Sequence, residues 1–374
     1  MSWELVQSDQ VLLKALAELE KDAEIAIDTE FMRRNTFFPQ VALLQIGNAD
    51  KAWLIDPLAI SDLGSLREFL ENQSQLKVLH SCSEDLEVFR HWLGVLPAPL
   101  VDTQRVAALV GEGYGVGYRT LVERALGVHL DKGETRSNWL ARPLSESQCH
   151  YAAQDVLHLL PIWSWLSNKA GRERMSWFLE EGERASAELL QREREGFRRV
   201  KGSGKLDRRQ LKVLRSLYEW REKRAQQLDK PRGWVLEDRA CVAIAVAMPR
   251  HLEELAALQL MPDSTLRKQG SALLAFVDAA RTATDAELPA QGPSPLAPGE
   301  RALLKSLKVE LRRLCEQQHI APELAMASAD LELLLRMQGQ GVLHEHAERW
   351  KGWRHEVVVE PLQQYLARVG DEQL

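Results

Sequence analysis

The stretch Glu24-Ile25-Ala26-Ile27-Asp28-Thr29-Glu30-Phe31 is an apolar strand pattern interrupted by acids. Side chains alternate faces along a strand, so Ile25, Ile27, Thr29 and Phe31 share one face while Ala26, Asp28 and Glu30 share the other. At a rise of about 3.3 Å per residue, the Asp28 and Glu30 Cα atoms stand about 7 Å apart. Two carboxylates about 5 Å apart, at an effective dielectric near 20, repel by roughly 3 kcal/mol. Water at an exposed strand end, a shared proton or a cation must relieve that repulsion. Two more acids bear on the choice. Asp85 follows the strand pattern Leu76–His80. Ser81 with Glu84 fits a capping box that sets Asp85 in a first helical turn, where an acid also favours the helix dipole. Asp155 lies four residues after Tyr151, on one face of a helix that opens with a second box, Ser145 to Gln148.

Such a set offers oxygen ligands only, the donors that hard cations such as Mg²⁺ or Mn²⁺ prefer. Two such ions roughly 3.5–4 Å apart clamp the attacking and leaving oxygens of a phosphodiester in line. Tyr151 is of a type that orients a water or takes its proton. Asp28, Glu30, Asp85, Tyr151 and Asp155 are therefore the candidate catalytic residues, and the four acids are the candidate metal ligands.

These residues must be positioned by an α/β domain. Leu12, Leu13, Leu16 and Leu19 predict a helix over Asp9–Leu19, capped by Ser8 or Asp9. Val41–Gly47 and Lys51–Asp56 predict a hairpin, and Asp62–Leu70 a helix crossing to Leu76–His80. Helices are expected over 84–93, 103–110, 119–126 and, as one long element, 146–166. The expected first domain, residues 1–200, is a mixed sheet flanked by helices. Gln191–Lys205 carries six basic residues against two acidic, around the joint Gly202-Ser203-Gly204. An all-helical unit follows over 206–283, opened by a box at Asp207–Gln210. A linker with four prolines spans 284–299, and a second helical unit spans 300–374.

A chain of 374 residues with 45% apolar and 27% charged residues is ordinary for a globular protein of two or three domains. The net charge of −6 excludes attraction of nucleic acid by the molecule as a whole, so a polyanion would have to be held by local basic surfaces. Cys82, Cys149, Cys241 and Cys315 form neither a disulfide framework nor a zinc spacing, which implies free thiols in a reducing compartment. With no signal-peptide pattern and no apolar run of roughly 18 residues, the expectation is a cytoplasmic monomer with no membrane role. Gly111, Gly113, Gly115 and Gly117 imitate a phosphate loop, but a helical pattern precedes them and no Gly-Lys-Ser/Thr follows. Cys82 and His80 do not point together as a nucleophile and base should. Lys132, Arg136 and Arg142 are candidate phosphate contacts. Phe31 and Trp139 are candidate base-stacking residues, and His80 completes the candidate substrate contacts.

Asp28-Thr29-Glu30, then Asp85, then Tyr151-x-x-x-Asp155 resembles the three exonuclease motifs of the DEDD superfamily in its tyrosine-bearing branch. The run Glu134–Ser145 and the helical units beyond are similar to those of the ribonuclease D family, with 206–283 resembling an HRDC domain and 300–374 a divergent second copy. The resemblance implies an RNase H-like catalytic domain followed by two all-α HRDC-type domains. It also implies a 3′-to-5′ exoribonuclease releasing nucleoside 5′-monophosphates, with tRNA precursors as the usual substrate. In that reading Asp28, Glu30 and Asp155 hold a first ion, Asp28 bridges to a second supported by Asp85, and Tyr151 positions the water. The rivals are a DNA exonuclease of the same chemistry and a catalytically inactive RNA-binding protein.

Overall fold

A computed structural model of the protein describes residues 2–130, 133–134, 137–292, 294–340 and 350–371. Six strands form one sheet: β1 (Ser2–Val6), β2 (Glu24–Met32), β3 (Gln40–Gly47), β4 (Lys51–Ile55), β5 (Leu76–Leu79) and β6 (Leu100–Asp102), in the order β1-β4-β3-β2-β5-β6. The β3–β4 pair is the expected antiparallel hairpin, with Leu44 opposite Ile55. β1–β4, β2–β5 and β5–β6 are parallel, so the sheet is mixed. β1 and β6 were not anticipated, and the three residues of β6 are too few for periodicity to show.

Helix α1 (Asp9–Leu19) starts as expected, with the Ser8 hydroxyl accepting from Val11 N–H at 3.4 Å. α2 (Leu63–Glu71) is capped by Asp62. Then follow α3 (Ser83–Trp92), α4 (Thr103–Leu109), α5 (Tyr118–Leu126), α6 (Glu146–Leu157), α7 (Leu159–Ala170) and α8 (Met175–Glu195). The single helix expected over 146–166 is two, broken at His158 (φ −94°, ψ −8°). Pro161 has no N–H to give to the carbonyl four residues back and crowds it, so the first helix cannot run through; the proline is tolerated in the first turn of a new one. The capping box of α6 forms as expected, between Ser145 and Gln148.

The chain divides into two compact units. One comprises Met1–Met32, Val41–Ala187 and Leu296–Leu374; the other comprises Arg33–Gln40 and Glu188–Pro295. In the second unit α9 (Arg208–Leu228) opens with the expected Asp207–Gln210 box, and α10 (Arg232–Val235), α11 (Asp238–Ala247), α12 (Leu252–Ala257) and α13 (Asp263–Thr282) follow. Their core includes Leu211, Leu214, Leu217, Ile244 and Leu273.

The C-terminal helices α14 (Pro298–Gln318), α15 (Pro322–Ala325), α16 (Ser328–Gln340) and α17 (Glu360–Asp371) belong to the first unit. Pro298, assigned to the linker from sequence, occupies the first turn of α14, where its missing N–H costs nothing. Leu307, Leu311, Trp350 and Trp353 share one core with Val106, Trp163 and Phe178 of the sheet domain. Gly182 of α8 lies so close to the sheet that a Cβ there would meet the Leu100 carbonyl oxygen at 1.9 Å. One residue earlier, Glu181 is 1% exposed. It is bonded by both Nη atoms of Arg354, by Trp353 Nε1 at 3.1 Å and by Arg105 Nη1 at 3.3 Å. Removing one partner of a buried ion pair strands the other's charge. Glu181→Gln should therefore lower the stability of this unit by about 3–5 kcal/mol in urea unfolding; an unchanged midpoint and slope would refute it.

Candidate active site

β2 supplies the first two acids. Ala26 packs in the same core as Ala152 and Val156 of α6, so the β2 face carrying Asp28 and Glu30 looks toward α6. Asp155, two turns into α6, completes a group in which one oxygen from each of Asp28, Glu30 and Asp155 lies within 4.8 Å of the others. All three are half-buried, so the group keeps an open side. Asp85 stands outside it, 7% exposed, in the first turn of α3. Its Oδ1 accepts from the Thr29 hydroxyl at 2.5 Å. Thr29 lies on the opposite face of β2 from Asp28, and Asp85 nevertheless acts electrostatically on Asp28 and Glu30.

Asp85 reaches its place by a different device from the expected capping box. Cys82 is the N-cap of α3 and makes no side-chain cap bond, and Ser81 takes a left-handed conformation at φ 56°. The turn is held instead by Asp102 at the end of β6, whose carboxylate accepts from Ser81 N–H at 2.8 Å and Cys82 N–H at 3.1 Å. This acceptor twenty residues downstream takes the Ser81 N–H that a capping box would give to the Glu84 side chain, and the Cys82 N–H beside it.

The charges oppose one another. Burial pushes the Asp28 carboxyl well above its usual range, and Asp85, Asp155 and Glu30 push it further. Glu30 is raised to about 9, first by burial and then by Asp155 and Asp85. Asp155 is raised to about 7 by burial, with Arg119 pulling the other way. Asp85 is raised to about 6 by burial, opposed by the Thr29 hydroxyl. A protein that gathers carboxylates at this cost fits a divalent cation: the donors are hard oxygens and converge on one side. Tyr151, half-buried on α6, has its hydroxyl ionisation driven up by burial, Asp155, Glu30 and Asp28.

The remaining expected substrate contacts fare differently. Trp139 is 2% exposed and its ring centre lies 6.0 Å from that of Tyr151, so it backs the tyrosine instead of offering a face to a base. Arg142 gives its five N–H donors to Asp56 and to the carbonyls of Ala42, Trp139 and Ala141; it braces the loop and has none left for a phosphate. His80 bonds Thr103 Oγ1 through Nδ1 at 2.9 Å, and burial lowers its basicity. Phe31 is partly exposed. Lys132 and Arg136 lie outside the described residues.

Three further residues bear on the site. Thr29 sits inside the acidic motif, on the strand face that carries no carboxylate. Tyr118 and Arg119 open α5 after Gly117, with Tyr118 donating to the Gln154 carbonyl at 2.8 Å and Arg119 acting on both Asp155 and Tyr151. The signal available was the aromatic–cation pair directly after the glycine run.

A family model described as 3'-5' exonuclease matches residues 3–170, and an HRDC domain model matches residues 210–277. The chain is 40% identical over 353 residues to ribonuclease D of Pseudomonas paraeruginosa, covering 94% of each chain. It is 35% identical to Escherichia coli ribonuclease D, covering 98% of this chain and 99% of that one. The chain belongs to the ribonuclease D family. The crystal structure of Escherichia coli RNase D superposes with a TM-score of 0.86, at 34% identity over 98% of this chain and 99% of that chain. The mixed sheet with flanking helices is thus the family's catalytic fold, and its carboxylate cluster implies use of a divalent metal.

Outer-shell partners of metal ligands typically change metal affinity 10- to 100-fold. Thr29→Val, which keeps shape and removes the Asp85 hydrogen bond, should raise the metal concentration for half-maximal activity by roughly that factor. A metal titration that overlays the wild type would show that Thr29 serves packing alone.

Proposed function

We infer that this chain is a metal-dependent 3′-to-5′ exoribonuclease that releases nucleoside 5′-monophosphates, with tRNA precursors and other structured RNAs as substrates. The observation that carries the reading is the convergence of Asp28, Glu30 and Asp155 within 4.8 Å in a member of this family. Asp28, Glu30 and Asp155 would hold one Mg²⁺ or Mn²⁺ and Asp28 with Asp85 a second. When bound, such ions supply Lewis-acid stabilisation of phosphoryl charge and a more acidic water.

The chain's own groups do the rest. Thr29 orients the Asp85 carboxylate, because its hydroxyl donates to Oδ1. Asp102 holds the turn from which α3 presents Asp85. Tyr151, one helical turn before Asp155, orients the water: a phenol hydroxyl both donates and accepts, and Trp139 limits the freedom of its ring. Arg119 adds a positive charge beside Asp155 and Tyr151, of the kind that offsets charge developing on a phosphoryl group. Partly exposed Phe31 can stack a terminal base, with His80, Lys132 and Arg136 completing the proposed substrate contacts.

The domain assignment belongs to the same proposal: catalysis in residues 1–200, an HRDC domain over 206–283, a linker over 284–299 and a second HRDC-like copy over 300–374. The protein acts as a cytoplasmic monomer. Among the described residues no helix is long and apolar enough to cross a membrane.

Asp28→Asn removes the ligand proposed to serve both ions but no phosphate contact. On 5′-labelled RNA with Mg²⁺ or Mn²⁺ it should reduce turnover at least about 10³-fold, given what electrostatic groups of this kind contribute, while binding stays within a few-fold of the parent. Nucleoside 5′-monophosphates should be the product, lost on chelation and restored by metal. Wild-type turnover in the variant, or preference for a matched DNA strand, would overturn the reading.

A further inference from the structure

Seven residues, Arg33–Pro39, connect β2 to its neighbour β3. Hairpin connections usually run to about 2–5 residues, so this one needs an anchor beyond its own turn. By its packing the connector belongs to the helical unit, which comprises Arg33–Gln40 and Glu188–Pro295. By its chain it leaves β2 three residues after Glu30 and two after Phe31. β2 pairs with β5 over Glu24–Ala26, so the acid-bearing end of the strand runs on past that pairing.

One side chain takes up the backbone of the connector. Asp229 Oδ1 accepts from Phe37 N–H at 2.9 Å and from Phe38 N–H at 3.1 Å. Hydrogen bonds to an ionised acceptor are roughly twice as strong as those to a neutral one, and successive amides converging on one oxygen make a natural anion seat. Asp229 ends α9 in the left-handed conformation, at φ 45° and ψ 54°. That position favours glycine, and a short polar side chain also adopts it. Glycine would close the helix as well but would leave both amides without their acceptor. The amides, not the helix end, account for aspartate here.

The packing around this contact is built on Phe37. It is 4% exposed, with the Arg232 guanidinium carbon 4.4 Å from its ring centre and the Phe38 ring edge-on at 5.0 Å. Arg232 is fixed in turn by Glu222, whose two oxygens accept from Nε at 2.6 and 2.7 Å. The Thr36 hydroxyl donates to the Phe38 carbonyl at 2.8 Å. Amides, ring and hydroxyl are all tied, so the connector has one course.

We propose that Asp229 is a positioning residue for the exonuclease reaction: by fixing the connector it fixes the end of β2, and with it Glu30 and Phe31. The helical unit then contributes to hydrolysis through the chain itself, separately from anything it binds. The proposal rests on the reading of Glu30 as a metal ligand.

The test pairs kinetics with hydrogen exchange on the full-length chain. Turnover is measured on a 5′-labelled RNA tetranucleotide with Mn²⁺, and amide exchange over residues 29–40 without metal. Asp229→Gly keeps the left-handed turn and removes the acceptor. It should lower kcat roughly 10- to 100-fold, the cost of a misplacement of about 1 Å. KM should stay within about twofold, since no substrate contact is removed. Asp229→Asn retains Oδ1 and should restore kcat to within about twofold of the parent. The Phe37 and Phe38 amides should exchange faster in Asp229→Gly alone. Phe37→Leu leaves Asp229 in place and removes the ring beneath Arg232; it should also lower kcat, and combined with Asp229→Gly by less than the product of the two losses. Wild-type kcat in Asp229→Gly with both amides loosened would reduce Asp229 to a contact of the fold, and unchanged exchange would show that it does not hold the connector. Either result overturns the proposal, as does a loss confined to KM, an Asp229→Asn variant as slow as Asp229→Gly, or fully multiplicative losses in the double variant. The exchange readout involves no metal, and wild-type turnover in Asp28→Asn would remove the carboxylate reading alone, so the two failures are distinguishable.

Discussion

Mutual repulsion among carboxylates is the constraint on which this structure turns. Burial raises the Asp28 carboxyl first, and Asp85, Asp155 and Glu30 raise it further. No arrangement of apolar neighbours relieves that, since burial worsens it. The fold therefore has to hold four acids where solvent would otherwise separate them. It does so with rigid elements: Asp28 and Glu30 two apart on a central strand, Asp155 on a helix packed against that strand, and Asp85 in a first helical turn. A long flexible loop could not do it, because each acid would move away from the others at little cost.

The acids that are not ligand candidates explain how the arrangement is kept. Asp102 lies outside the cluster, although its charge raises Asp85; it satisfies two backbone N–H groups in the turn before α3 and so fixes the approach of Asp85. Glu181 neutralises buried arginines and joins the C-terminal helices to the sheet domain. Those helices share a core with the nuclease helices instead of forming one of their own. Their effect on the site is indirect: they complete the packing under α4, α7 and α8, which α6 and the sheet adjoin.

Much of this was readable from residue types and spacing, and the reasons differ by element. β2 was legible because period-two alternation sorts its side chains onto two faces, and the Tyr151–Asp155 pair because a helical turn puts them together. Capping boxes at Ser145 and Asp207 were legible because both partners lie within four residues. The box at Ser81 looked similar in sequence and did not form: the Ser81 N–H found Asp102, a partner separated by a helix and a strand. The same blindness to distant partners made Arg142 look like a phosphate ligand when its donors all go to Asp56 and backbone carbonyls, and made Trp139 look like a stacking surface when it is buried behind Tyr151. A side chain's type tells what it is able to bind. Only the fold tells what already binds it.

That distinction also bears on how an acidic protein holds a polyanion. The net charge is −6, and the site itself gathers negative charge. Even with cations in place, the carboxylates would neutralise those cations and leave little net attraction for a strand beyond the bond being cut. Grip must come from groups whose charge is not already answered. Among the arginines described, Arg142, Arg221, Arg232 and Arg354 are bound to carboxylates. Arg199 and Lys230 have no carboxylate partner among the described residues, and Lys230 stands over the exposed indole of Trp234. Crowded acids suit a place that would hold cations, and a cation without a carboxylate partner suits a surface that would meet a phosphate, so the two kinds of group have opposite electrostatic demands.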